Sequence, residues 1–462
     1  MFRDGTAAGL NSDRDARITH HVGTMNQTSE TSEADETGET GGIREIPLPD
    51  DWRVESIAAP NAIPIHDLLG TIQDALDRPL GSLPLIDLAG PGTRVCIAVE
   101  NTGADPRVAL DALLTTLHSN GVLPADVIVL AVAPGFDPLT LPVAQTVHDA
   151  DDRRVLDDLG RYEGVPFTIN HRAVDADLLI GLGTLHLDDL LHDAASSRLI
   201  AHDLAGSATQ NELADTRFLD DLISPWRNDE SVYDRVVREG ARRAGLVFAV
   251  EMLFDEHSRT VAVKAGMPRQ VNAELRLIAH TLREAAASRA ADLLVADVGS
   301  VGFYSAARAP IHIGMASDAA LVRGGVVVLP NLQAESPTEP SEAAEIEAFY
   351  DALDLGANSE EVIRHLSGRT LRPGEARAYL LAHVLQRHPV ITVSAAGARP
   401  ARHIIAARDM FEAAELAETL LGRRPYTLLL SRALSALPVA SRFAQPESAE
   451  DSLGSLLDDL DL

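Results

Sequence analysis

Apolar residues along this chain fall into short continuous runs, and segments of helical period separate them. The runs "TRVCIAVEN" (93–101), "DVIVLAVAP" (126–134), "PFTINH" (166–171) and "ADLLIGLG" (176–183) read as extended strands. So do "LVFAVEMLF" (246–254), "DLLVADVG" (292–299), "GGVVVLPN" (324–331), "PVITVSAA" (389–396) and "YTLLLSRA" (426–433). A shorter run, "RTVAVKAG" (259–266), is expected to pair with 246–254. Helices are expected at 106–121, where Pro106 opens and Gly121 stops the segment, and at 231–245, 268–290, 342–353 and 408–422. Two more helices are expected to end near Arg387. Runs that are apolar throughout suit strands buried on both faces, as in parallel sheets covered by helices.

Strand and helix in repeated alternation imply an α/β fold: two lobes with mainly parallel sheets flanked by helices. A boundary near 265–291 divides the chain into an N-terminal domain, 45–267, and a C-terminal domain, 268–444, with the long helix between them. In such folds ligands sit at the carboxyl ends of strands and in clefts between lobes. Residues 1–44 carry no apolar period, and "NQTSETSEADETGETGG" (26–42) has the composition of a disordered tail. Met25 just before it is an alternative start. The segment 445–462 is an acidic tail whose leucines at 453, 456, 457, 460 and 462 suit a short amphipathic helix for docking a partner, or a frayed end.

Composition sharpens this. Hydrophobic residues are 45% of the 462 but aromatics only 4%, so the core is aliphatic. Acidic residues number 69 against 39 Lys and Arg, a formal charge of −30. That argues against nucleic acid and against anionic membranes as partners. Cys96 is the one cysteine, so a disulfide or zinc ribbon within the chain is excluded. With no long apolar run and no signal-type N-terminus, the expectation is a cytoplasmic, soluble protein. Walker A, G-x-G-x-x-G, H-E-x-x-H and G-x-S-x-G are all absent.

The chemistry concentrates in "LHLDDLLHDAASSRLIAHDLAGS" (185–207). His186, His192 and His202 are candidate metal ligands, but His186 and His192 are six apart and do not share a helix face. Arg198 is a candidate anion clamp. The competing reading is a polar, partly exposed helix. "GSVGFYSAARAP" (299–310) follows a strand and either offers backbone N–H groups to an anion or is an ordinary turn. Arg238, Arg242 and Arg243 read as a solvated helix face.

The order of segments over 45–440 resembles the nickel-dependent lactate racemase family, which uses a nickel-pincer nucleotide. "RPLGSLPLIDLAGPGTRVCIAVEN", "VIVLAVAPGFDPLT", "NH" at 170–171, "ADLLIGLG", "SVYDRVVREGARRAGLVFAVEML" and "GGVVVLPN" are similar to consecutive family segments. The resemblance implies the two-lobed α/β fold and racemisation or epimerisation of small 2-hydroxy acids. It also implies site positions. The family's strand-end Asp and Arg fall on Asn101 and Ala104. Its catalytic His falls on Phe136, beside Asp137. Its nickel-ligating His falls on Asp188 and its covalent Lys on Arg198. A further ligand falls near Ala214, and its Gln and Lys fall on Pro310 and Ile313.

Phe136 moves no proton, and a guanidinium is no nucleophile. A carboxylate suits nickel in such a plane less well than imidazole. The cofactor's ligands are therefore not retained. This leaves three readings: a non-catalytic or repurposed relative, a racemase or epimerase with re-sited residues, or an interaction protein. A 2-hydroxy acid or another anion in the interlobe cleft is the expected ligand of the first two.

Overall fold

Val95, Ile97 and Val99 pack into one apolar cluster, while Cys96 and Ala98, on the same strand, pack into another. A strand covered on both faces has no polar positions, which is why its sequence is a continuous apolar run. The computed structural model describes residues 46–100, 103–132, 142–187, 195–223, 231–316 and 319–440.

Two six-stranded sheets organise them. The first has the order β4-β3-β2-β7-β8-β9. Its strands are β2 (Val95–Val99), β3 (Val127–Ala131), β4 (Ala144–Val147), β7 (Leu178–His186), β8 (Leu246–Phe254) and β9 (Thr260–Gly266). All neighbours are parallel except β8 and β9, which pair as the sequence suggested and run antiparallel. The second sheet is parallel throughout, with the order β1-β15-β11-β12-β13-β14. It comprises β1 (Arg53–Ile57), β11 (Ala291–Ala296), β12 (Leu321–Leu332), β13 (Val390–Ser394), β14 (Ile405–Ala407) and β15 (Tyr426–Leu430). A hairpin, β5 (Leu156–Tyr162) with β6 (Val165–Asn170), and a parallel pair, β10 (Glu284–Ala287) with β16 (Leu437–Ala440), lie outside the sheets.

The mainly parallel α/β architecture is the expected one. Three details differ from the sequence pattern. First, residues before 60 are contiguous in sequence with the first lobe, yet β1 pairs with β15 and so extends the second sheet. Second, the expected helix 268–290 ends at Arg283, and Glu284–Ala287 becomes β10. An alanine-rich stretch favours helix locally. Here Ala285 and Ala287 alternate inward and pair with the Leu437–Ala440 strand, so tertiary pairing wins. Third, the Pro268–Arg283 helix packs Val271, Leu275 and Ala279 against Leu253 of β8, which places it with the first sheet rather than the second.

Cys96 is fully buried, and burial pushes its thiol up to about 12. Thiolate is the reactive form, so a thiol reagent is expected to leave the native chain unmodified and to label one site per chain in denaturant. Fast labelling of the native chain would contradict the buried placement.

Among the described residues no helix is long and apolar enough to cross a membrane.

Candidate functional site

The chain runs from β2 outward to β3 and β4 on one side, while β7 and β8 lie on the other. The order therefore reverses between β2 and β7. A crevice opens at the carboxyl ends of strands at such a point, because the flanking connections diverge. Glu100 lies there, one residue past the end of β2. Its Oε2 accepts from the Thr184 backbone N–H at 3.3 Å and from the Thr184 hydroxyl at 3.1 Å, both on β7. Its Oε1 forms an ion pair with the Arg198 guanidinium.

Arg198 reaches this point because of two glycines in "ADLLIGLG". A Cβ on Gly183 would stand 2.6 Å from the Ser196 backbone nitrogen, and one on Gly181 would stand 2.8 Å from Ser196 Cβ. Only glycine lets the Ala195–Arg198 helix lie directly on β7. The helix continues into a wider π turn, Leu199–Asp203, closed by the Leu204 N–H donating to the Leu199 carbonyl at 2.9 Å. A π turn often marks a functional site. Here it turns both His202 and Asp203 toward Arg198. Asp203 lies 3.2 Å from Arg198 Nη1, and His202 Nδ1 is 2.6 Å from Asp203 Oδ1. The described part of this stretch is not the exposed polar helix that its composition suggested. Ala195, Ser196, Leu199, Ile200 and Ala201 are all buried.

Beneath it lies Glu251 of β8, fully buried. Its Oε1 accepts from Ser196 N at 3.1 Å and from Ser196 Oγ at 2.5 Å. Burial pushes its carboxyl up to about 7, against the opposing pull of Ser196, Asn272 and Arg238. The second oxygen closes no hydrogen bond of normal geometry, although the Asn272 side chain helps steady the carboxylate.

Arg198 and His202 form part of the wall of a cavity of about 580 Å³ between the two lobes. The second lobe supplies Arg308, Arg372, Arg377 and His312 to the same wall. Phe218, Leu219, Ile311 and Leu371 give it an apolar floor. The lobes are tied at its edge. Leu371 N–H donates to the Ala214 carbonyl at 3.0 Å, and the Tyr379 hydroxyl donates to Asp220 at 2.5 Å. The wall contains no aspartate or glutamate among the described residues. In a chain of net charge −30, this wall concentrates arginine side chains, two of which, Arg198 and Arg372, are paired with carboxylates just behind it. The arginines are held from behind. Arg372 lies 3.2 Å from Glu375, and Arg377 donates to the Tyr304 carbonyl at 3.0 Å with its guanidinium 3.7 Å from the Tyr304 ring centroid.

The sequence candidates divide. Arg198 and His202 come together on the cavity wall. His186 does not join them: it ends β7 with its ring 5.1 Å from Phe254, and its carbonyl accepts from Arg283 at 2.6 Å. Asn101, Phe136, Asp188 and His192 lie outside the described residues. No group of three or more His, Cys, Asp or Glu stands ready to hold a metal among the described residues. In "GSVGFYSAARAP" the Tyr304 N–H is already donated to Glu335 at 2.8 Å, so that group is not presented to a ligand, but Arg308 of the same stretch lines the cavity. Arg242 lies on the solvated helix face as expected, whereas Arg243 and Arg238 are anchors. Arg243 donates to the carbonyls of Leu159 and Arg161, and Arg238 donates to Asn272. The cationic wall of the second lobe gave no sequence signal, since Arg372 and Arg377 lie on a helix start like many others.

The family model for the lactate racemase N-terminal domain matches residues 40–137. The fold resembles that of the lactate racemase apoprotein from Thermoanaerobacterium thermosaccharolyticum, with a TM-score of 0.66 and 19% identity over 85% of this chain and 96% of that one. The chain thus carries a match to the lactate racemase N-terminal domain over its first part and shares the lactate racemase fold over most of its length. A Thermotoga maritima protein also shares the fold, at a TM-score of 0.53 and 10% identity over 83% of this chain and all of that one. No curated protein matches by sequence.

Arg198 brings a guanidinium, not an amine, to the cavity wall. Its guanidinium is committed to Glu100 and Asp203.

Proposed function

We propose that this lactate-racemase-like protein binds a small organic anion, a carboxylate of the 2-hydroxy-acid kind, in the cavity between its lobes, and does so without a tethered nickel-pincer nucleotide. The carrying observation is the wall itself: four arginines and two histidines from both lobes, with no carboxylate lining it among the described residues. A guanidinium fork binds a carboxylate through two parallel hydrogen bonds. Carboxylates behind Arg198 and Arg372 fix those forks in advance, which lowers the ordering cost of binding. The same arrangement fits a tethered pincer poorly. An always-protonated guanidinium does not make the bond that a lysine amine makes.

Calorimetric titration with 2-hydroxy acids and their deoxy counterparts tests the binding. Heats that saturate and weaken with salt are expected, and a flat response to every carboxylate would end the proposal. Intact mass and nickel content test the second clause. The bare-chain mass is expected, and one nickel per chain with added cofactor mass is the contrary result.

One observation favours re-sited catalysis as a second reading. His202 is held by Asp203, and His312 lines the same cavity from the other lobe. Racemisation at C2 needs a proton-transfer group on each face of the carbon. Deuterium wash-in at C2 that disappears in His202→Gln would establish this reading over a purely binding role.

A further inference from the structure

A second charged surface lies at the opposite end of the second sheet. Arg53, Arg289, Arg423 and Arg424 surround Tyr426 in an open hollow of about 470 Å³, with Asp51 and Asp292 as the acidic residues of its wall. Arg289 stands 4.0 Å and Arg53 5.6 Å from the Tyr426 ring centroid. Arg424 pairs with Asp51 at 2.7 Å and Arg423 with Asp292 at 2.5 Å. With Glu55 at the edge bonded to the Tyr426 hydroxyl, four arginines meet three carboxylates and one positive charge remains in excess. The hollow forms at the amino ends of β1, β11 and β15, whereas substrate crevices of parallel sheets form at carboxyl ends. Its position suits docking rather than turnover.

The described chain ends beside it. Ala440, the last residue of β16, pairs with Ala287 of β10, and the two strands are parallel. At Ala440 the strand β16 therefore points the same way as β10 does at Ala287, toward residues 288 and 289. Ser288 goes straight to the hollow's edge, where its N–H donates to Glu55 at 3.0 Å and its hydroxyl lies 2.9 Å from the Tyr426 hydroxyl. The next residue is Arg289. Beyond Ala440 the sequence is strongly acidic. Residues 441–462 hold Glu447, Glu450, Asp451, Asp458, Asp459 and Asp461 against the single Arg442. At about 3.3 Å per residue, the seven residues from Ala440 to Glu447 span up to about 23 Å, enough to cross the hollow.

We propose that the acidic segment 445–462 docks, within its own chain, on the arginine hollow formed by Arg53, Arg289, Arg423 and Arg424. Charge complementarity, the exit direction of β16 and the length of chain all select this occupant. Tethering raises its effective concentration well above that of a free acidic peptide, so modest contacts suffice. The anion cavity between the lobes is a separate site, so the docking does not depend on anion binding there.

The test uses a fluorescent peptide of residues 445–462, the full chain, and a chain ending at 444. The shortened chain is expected to bind the peptide with an affinity that falls as salt rises. The full chain is expected to bind it at least tenfold more weakly, because its own segment occupies the hollow. Arg289→Gln with Arg424→Gln in the shortened chain is expected to cost tenfold or more, and both positions are exposed, so folding is preserved. Equal binding by full and shortened chains overturns the proposal, as does no binding by either or indifference to the double substitution. Saturation of the hollow by inorganic phosphate in the full chain, at the affinity seen in the shortened one, would show a free anion site and also overturn it.

Discussion

Arg198→Met is expected to weaken carboxylate binding roughly 10- to 100-fold, the worth of a charged hydrogen bond of about 1.5–3 kcal/mol. The same change is expected to lower stability by about 2 kcal/mol. Arg198, Glu100 and Asp203 are mostly buried, at 23%, 19% and 11% side-chain exposure, and methionine would leave two carboxylates without their counter-ion. Fully buried pairs lose about 3–5 kcal/mol when one partner goes, so the partial exposure here sets the smaller figure. Glu100→Gln separates the two effects. The amide oxygen still accepts from Thr184, but Arg198 loses one of its two anions and the cavity becomes more positive. Anion affinity is therefore expected to rise several-fold. Urea denaturation and calorimetry on both variants check this. If Glu100→Gln weakened binding as much as Arg198→Met does, Arg198 would be holding the fold together rather than holding a ligand.

The second large effect is a pH dependence of stability arising from Glu251. Its ordinary value is 4.5, and in the folded chain burial lifts it to about 7. The folded state thus holds this proton more tightly than the unfolded chain does. The stabilisation is complete below about pH 4.5 and is lost as pH rises through about 7, a difference on the order of 3 kcal/mol. Glu251→Gln keeps an acceptor for Ser196 and removes the titration. The substituted chain is expected to lack this slope and to be the more stable of the two above pH 7. Denaturation midpoints at pH 5 and pH 8 for both chains provide the measurement. Parallel pH profiles would show that Glu251 does not carry the effect. Ser196 lies in the one-turn helix Ala195–Arg198, so ionising Glu251 is expected to strain the support of Arg198 as well as the sheet.

Much of the fold was legible because burial on both faces writes itself into a strand as an unbroken apolar run. Leu246–Phe254 was bounded to the residue, and its pairing with Thr260–Gly266 came from adjacency. Glycines 181 and 183 were visible but mute. Their meaning, a helix lying directly on the strand, depends on where Ser196 comes to rest. β1 and β10 were missed for a shared reason. Each is made a strand by a partner far away in sequence, β15 for one and β16 for the other. Local propensity contains no information about such partners.

The candidate site divides along the same line. Arg198 and His202 stood out because they belong to one short stretch rich in chemistry. His186 and His192 stood out equally. Sequence spacing alone did not say that the π turn would bring His202 and Asp203 round to Arg198 while His186 stayed against Phe254. Arg308, Arg372 and Arg377 carry no signature at all, since an arginine's role depends on the side of the helix it leaves and on what faces it.

The sequence by itself determined the α/β class, the alternation of elements, the aliphatic core, the excess of acid and the family resemblance. All of these depend on residue type and near spacing, which the chain states directly. Only the tertiary structure decided that β1 belongs to the far sheet, that the strand order reverses beside Glu100, and that arginines of both lobes share one wall. Those facts arise from contacts between residues far apart along the chain. They are set by which surfaces bury best against each other, a property of the packed whole that local pattern does not encode.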